Sequence, residues 1–194
     1  MKEKGHISLI IMMIALSLFG SYHIYYHFLN SESKDLVRNY YEEKIVNEEK
    51  VIGQKMNSEV KEEYLGVLRI PKINLIEGFY NIYSKNNDVN RSVTILKESV
   101  MPSSNGSIIY LTAHSGSGYL AYFKNLNKLA INDIIYLDIE NNRYQYIVSD
   151  IYEVIKNGII TVNRNINEKY LVLSTCSNNK EKQLVIVCKL INNE

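Results

Sequence analysis

The sequence lacks an excess of charge of either sign. Its 22 basic residues face 21 acidic ones, and the formal net charge is +1. No net basic field therefore argues for a nucleic-acid partner. It is also poor in the residues that hold transition metals. There are four histidines and two cysteines, and His6, His23 and His27 lie in or beside the N-terminal apolar segment. That leaves His114 as the one histidine beyond it, too few ligands for a metal site. Tryptophan is absent and there are only two prolines. Sixteen tyrosines, with many isoleucines and asparagines, are what remains. Tyr and Ile suit strands and Asn suits turns, which favours a β-rich domain. At 194 residues the chain is long enough for one domain with a proper core plus an appendage.

Long hydrophobic runs are missing except at the start. "MKEKGHISLIIMMIALSLFGSYHIYYHFL" has two lysines and then an apolar stretch from Ile7 to about Leu29. A helix of ~23 residues is ~34 Å long, enough to cross a hydrocarbon core of ~30 Å. Its tyrosine-rich end, "YHIYYHF", reads as an interfacial aromatic belt. Ala15-Leu16-Ser17 fits a signal-peptide cleavage pattern but lies inside the apolar run, so residues 1–29 are expected to be a retained transmembrane anchor. Charge sets the orientation only weakly, because Lys2 and Lys4 precede the span while Lys34, Arg38 and Lys44 follow it.

Residues 30–63 are charged, lack proline, and carry Leu36, Val37, Tyr40, Tyr41, Ile45 and Val46 at mixed spacings of three and four. This predicts a solvated helical stalk without a sustained heptad. From Tyr64 the pattern changes to short apolar runs with turn signals between them, and residues 64–194 form the expected strand-rich domain. "YLGVLRIPKINLIEGFY" reads as two strands split near Pro71. "NGSIIYLTAH" is a strand ending in His114, and "GYLAYFKNLNKL" is the one expected amphipathic helix of this half. "DIIYLDIENNRYQYIVSDIYEV" is a hairpin with its turn at Asn141-Asn142. "YLVLSTC" and "QLVIVCKL" supply the last two strands. Seven or eight strands with one or two short helices predict a closed or nearly closed β-barrel.

The two cysteines end two of these runs. In an antiparallel hairpin about the polar loop, Cys176 lies opposite roughly Gln183. Cys188 is then ~16 Å further along, beyond the ~7 Å limit for a disulfide. Cys188 reads as a small core residue. Cys176 sits where a strand gives way to a polar loop, a rigid base with one open side, which suits a nucleophile. A lone cysteine after an apolar run is more often incidental. His114 also ends an apolar strand, before the flexible "SGSG", and a cysteine nucleophile needs such an acid–base partner. The two are 62 positions apart and can meet only through the fold.

"LTAHSG", "LSTC" 62 positions on, and "KQLVIVCKL" just beyond resemble the sortases, membrane-anchored cysteine transpeptidases of Gram-positive bacteria. The resemblance spans about Tyr64 to Ile191, and the motif T-L-x-T-C stands here as Val172-Leu173-Ser174-Thr175-Cys176. It implies an eight-stranded β-barrel, Cys176 as nucleophile, His114 as acid–base group and Thr175 as support. It implies attack on a C-terminal sorting signal of the LPxTG type in a surface protein or pilin. An amine of a lipid II or peptidoglycan stem peptide, or of a pilin, then resolves the thioacyl enzyme. One position departs from the pattern, since Gln183 stands where the family carries an arginine that supports the oxyanion. Gln183 can still donate two N–H bonds, and Arg164, in the region that covers the groove in this family, is a second candidate. No cofactor is expected, although some members use calcium. A thiol peptidase and a catalytically weak membrane-tethered binding module are the alternatives. The resemblance also places the protein in the cell membrane by a single pass, N-terminus in the cytoplasm and catalytic domain outside.

Overall fold

The computed structural model describes residues 2–50, 64–102, 104–139 and 142–193. One helix, α1 (Lys2–Lys50), carries both the apolar segment and the first part of the charged one without a break. The rest of the expected stalk, from 51 to 63, lies outside the described residues. Ile7–Phe28 is long and apolar enough to cross a membrane, and none of it is buried against the protein.

Eight strands follow: β1 (Tyr64–Ile70), β2 (Leu75–Tyr80), β3 (Thr94–Ile95), β4 (Ile108–Thr112), β5 (Ile134–Ile139), β6 (Asn142–Ile155), β7 (Tyr170–Cys176) and β8 (Lys182–Asn193). They form one sheet in the order β2-β1-β5-β6-β8-β7-β4-β3, and a bridge between Phe79 and Val93 draws its two edges together. The result is the nearly closed eight-stranded barrel that the run of short apolar segments predicts. Closing a sheet on itself removes exposed edges and encloses one core. Leu68, Phe79, Leu111, Leu137, Leu173 and Ile186 fill that core. The split at Pro71 holds too, because a single 3₁₀ turn at Pro71–Ile73 separates β1 from β2.

Three expectations need correction. The segment after His114 is not an amphipathic α-helix. It runs through i→i+3 turns, with Lys124 N–H bonded to Ala121, Leu126 to Phe123 and Leu129 to Leu126, and only Leu126–Lys128 forms a 3₁₀ helix. Its buried Phe123, Leu126 and Leu129 recur every three residues, the period of a 3₁₀ path, and the Phe123 N–H is held by the His114 carbonyl. The β5–β6 hairpin closes at Ile139–Asn142, which puts Asn142 in the strand rather than in the turn, and residues 140 and 141 lie outside the described residues.

The stalk is also not solvated all round. Leu36 of α1 is 2% exposed and rests on β2, where a Cβ added at Gly78 would stand 3.0 Å from the Leu36 Cβ. Glycine at that position lets the helix lie down on the strand. One turn further on, Tyr41 donates to Asp138 of β5 and accepts from Arg69 Nε of β1 at 3.0 Å. Arg143 closes the cluster on the Asp138 carboxylate in two bonds of 2.7 and 3.0 Å. Burial pushes the Asp138 carboxyl up, but the bonds from Arg143 and Tyr41 and the two guanidinium charges outweigh it, and its pKa falls below the usual value.

Candidate active site

Strands β4 and β7 are parallel neighbours, in register from Ile108–Tyr170 to Thr112–Ser174. Every pair in that ladder is separated by 62 positions, the separation of His114 and Cys176 in the sequence. The two residues therefore leave the sheet side by side at the same end of two adjacent strands. Hydrogen bonds tie the strands together as far as the site. Thr112 Oγ1 donates to the Ser174 carbonyl at 3.0 Å, and Thr175 Oγ1 to the Ala113 carbonyl at 2.7 Å. Past the end of β4, Ser115 Oγ donates to the carbonyl of Cys176, the last residue of β7, at 2.8 Å.

Side-chain alternation sets what faces what. Thr175 shares its face with Leu173 and Leu171, which point into the barrel core. Cys176 shares the other face with Val172 and Tyr170, which belong to a separate outer cluster with Val185 and Val187 of β8. Ile160 and Val162, from the segment between β6 and β7, pack onto that outer cluster. The thiol-bearing residue thus ends a strip walled by the 156–169 segment, and Cys176 is exposed. Beside it a groove of about 470 Å³ is bounded by Ser115, Lys124, Glu153, Thr175, Ser177 and Leu184, among others.

Gln183 is paired directly with Cys176 across the β7–β8 ladder. Residues opposite each other in an antiparallel pair present their side chains on one face, so Gln183 and Cys176 share the outer face. Lys182, next along, is half-buried and pairs with Glu153 at 3.7 Å. Arg164 is elsewhere. Its Nη1 donates to the Gly106 carbonyl at 2.9 Å, at the opening end of β4. Gly106 is eight residues before His114, ~26 Å along an extended chain. The fold does not bring Arg164 to Cys176, because the 156–169 segment crosses to that end before entering β7.

Cys188 is 0% exposed, its thiol pushed up by burial, and it pairs with Leu171, five ladder positions from Cys176. Both cysteines are free. Among the described residues, no group of three or more His, Cys, Asp or Glu side chains could hold a metal ion.

Sequence reasoning missed Asn90. Its Oδ1 lies 3.2 Å from His114 Nε2, while its Nδ2 donates to Asp88 Oδ1 at 3.0 Å. With Nδ2 turned to Asp88, the amide oxygen faces the ring, and because it can only accept, Nε2–H is the donor of that hydrogen bond. Asn90 lies in the long connection between β2 and β3, 24 positions before the histidine, and no pattern in the sequence marks it. Ser115 was within reach of sequence reasoning, as the residue directly after the histidine.

The family model described as the sortase domain matches residues 68–191, well over half of the chain. No curated protein matches the chain at a significant level. Among solved structures, sortase C of Streptococcus pneumoniae is 26% identical, with a TM-score of 0.60 over 72% of this chain and 74% of that one. Sortase C1 of Streptococcus suis is 23% identical, with a TM-score of 0.61 over 68% and 74%. A Clostridium perfringens sortase D5 transpeptidase is 17% identical, with a TM-score of 0.62 over 84% and 99%, and like the Streptococcus suis structure it speaks for the fold alone. With the domain match, the barrel and the order of the motifs in agreement, the chain belongs to the sortase family, a family of cysteine transpeptidases.

Proposed function

We propose that the protein cleaves a C-terminal sorting signal of the LPxTG kind through a thioacyl enzyme and joins the released carbonyl to an amine of the cell wall or of a pilin. The observation that carries this reading is the 62-position register of β4 and β7, which sets His114, two residues past the end of β4, level with Cys176, the last residue of β7. Gln183, level with Cys176 on the outer face, supports the same reading.

The steps balance with these residues. Cys176 Sγ, as the thiolate, adds to the carbonyl carbon of the scissile peptide bond. The oxyanion that forms is met by the neutral amide of Gln183. The C–N bond breaks and the departing amine takes a proton from His114. Asn90 holds the Nε2 proton, which leaves Nδ1 as the ring atom that exchanges one with substrate. The acceptor amine then adds to the thioester, gives its proton to His114, and the C–S bond breaks to restore the thiolate. Thr175, buried and bonded to Ala113, holds the cysteine backbone against the histidine strand.

Substrates and place follow from the family and the helix. The Streptococcus pneumoniae sortase C is described in terms of pilin substrate specificity, and a pilin or surface protein is the substrate class proposed here. Ile7–Phe28 serves as a single membrane span, with the N-terminus in the cytoplasm and the barrel outside, where sorting signals and wall precursors are. A reporter fused after Glu194 that worked only in the cytoplasm would refute this orientation. The reaction is proposed to need no cofactor, and activity unchanged by calcium or by a chelator is the expected result.

The experiment is mass spectrometry of the full chain in detergent micelles, incubated with LPxTG-like peptides and a glycine or diaminopimelate amine. A thioacyl adduct and a ligated product, both lost in Cys176→Ala and His114→Ala, establish the transpeptidase. An adduct that yields only hydrolysed peptide makes the protein a thiol peptidase. No adduct from a folded protein makes it a tethered binding module.

A further inference from the structure

Three contacts at different heights fix how the barrel lies along α1. Tyr41 meets Arg69 and Asp138 and Leu36 meets Gly78. Nearer the N-terminus, Tyr119 meets His23 and Tyr26. The Tyr119 hydroxyl is 3.0 Å from His23 Nδ1, and its ring stacks on Tyr26 at 6.1 Å and 26°. Tyr119 belongs to the 115–121 segment that follows His114, and it is 40% exposed. Its two partners belong to the apolar stretch Ile7–Phe28. At helical rise, Tyr26 is ~3 Å and His23 ~7.5 Å inward of Phe28.

That level is the headgroup-to-acyl boundary of a bilayer spanned by Ile7–Phe28, where an amphipathic ring is favoured. His23 is a polar side chain inside an apolar span, and Tyr119 is the partner that satisfies it there. Tyr22 and Tyr25, 55% and 59% exposed, complete an aromatic collar at the same height. Ser115 and Gly116, a few residues before Tyr119, line the groove at Cys176.

We infer that the 115–121 segment, with Tyr119 as its anchor, sits in the outer headgroup layer of the membrane, so that the Cys176 groove opens at the lipid surface. This rests on the reading of Ile7–Phe28 as a membrane span. The partner is the lipid interface itself. The far end of β4 and β7, with Gly106 and Arg164, then points away from the membrane. An acceptor amine carried on a lipid would reach the thioester by diffusing in the plane of the bilayer.

The test uses the full chain in vesicles of phosphatidylcholine and phosphatidylglycerol, with Cys176→Ser to free the labelling chemistry. An environment-sensitive fluorophore is placed singly at Ser117→Cys, at Asn163→Cys on the far end, and at Ile14→Cys within the span. Lipids carrying a nitroxide at the headgroup or in mid-chain are the quenchers. The headgroup nitroxide should quench position 117 at least about threefold more strongly than position 163, the contrast expected of an interfacial segment. Tyr119→Ala should remove most of that difference while mid-chain quenching at 14 persists. Quenching at 117 no stronger than at 163, or unaltered by Tyr119→Ala, overturns the inference while quenching at 14 leaves the span standing. Loss of mid-chain quenching at 14 overturns the span and the inference with it.

Discussion

The hydroxyl of Thr175, the residue before the cysteine, donates to the carbonyl of Ala113, the residue before the histidine, at 2.7 Å. This bond is buried and reaches from β7 to the residue after β4, so it fixes the relative height of Cys176 and His114, the proposed catalytic pair. Thr175→Val keeps the shape and leaves the Ala113 carbonyl unsatisfied, a cost of about 1–3 kcal/mol. Denaturant unfolding should show that loss. Peptide cleavage should slow mainly in kcat, since the change displaces Cys176 and His114 from each other rather than removing a substrate contact. An unchanged kcat would mean that the bond serves stability alone.

Gln183 faces the same side of the sheet as Cys176 without a formal charge. If its amide is the oxyanion donor, Gln183→Ala should lower kcat about 10²–10³-fold, as for other lost donors of this kind. Gln183→Arg should restore or raise the rate, while Arg164→Ala, remote from the thiol, should leave it unaltered. A Gln183→Ala protein as fast as the parent would take this residue out of the mechanism.

The two cysteines should react very differently with a thiol reagent. Cys176 is exposed, while Cys188 is fully enclosed with its thiol held protonated by burial. Mass spectrometry of the native protein at neutral pH should find one label, absent from Cys176→Ala and present in Cys188→Ala. In denaturant the parent should take two.

Asp138 is 4% exposed and receives hydrogen bonds from Tyr41 and Arg143. Its pKa is depressed in the folded protein relative to the usual 3.8. Its contribution to stability is therefore complete above the unfolded value and is lost as pH falls below it through the folded value. Thermal unfolding followed from pH 6 down to pH 3 should show an acid loss that Asp138→Asn reduces. At pH 7 the same variant should be less stable by about 1–3 kcal/mol, the usual cost of breaking bonds to a charged buried group.

Gly78→Ala should lift α1 from the barrel, because the new Cβ would stand 3.0 Å from that of Leu36. Overpacking of this kind costs about 1–3 kcal/mol. Once α1 is displaced the Leu36 side chain no longer packs on β2, so Leu36→Ala, which keeps the Cβ that meets position 78, should add little to the loss and the two changes should fall short of additive. Additive losses would show that α1 does not seat on this glycine.

Most of the barrel was legible because each strand is a short apolar run with its own punctuation. Pro71 splits β1 from β2, and the polar stretch after Cys176 turns β7 into β8. The cysteine arithmetic was legible for the same reason: in a hairpin, counting residues gives distance. The 118–129 segment misled because its apolar residues suit a helix or a 3₁₀ path, and the choice was made by burial of Phe123, Leu126 and Leu129 in the barrel. Arg164 misled because a long connection has no local rule for which end of the sheet it visits.

The sequence alone carried an apolar helix ahead of a β-barrel, a buried Cys188, Cys176 at the end of a strand and His114 just past the end of another. Local periodicity carries those statements. Only the tertiary structure decided that β4 and β7 are neighbours, parallel, and offset by 62, because pairing between distant strands depends on the whole sheet. It alone decided that Asn90 reaches His114, that α1 seats on Gly78 and Asp138, and that Tyr119 meets the apolar helix. Each of these joins residues far apart in the chain, where no spacing rule operates and only packing brings the groups together.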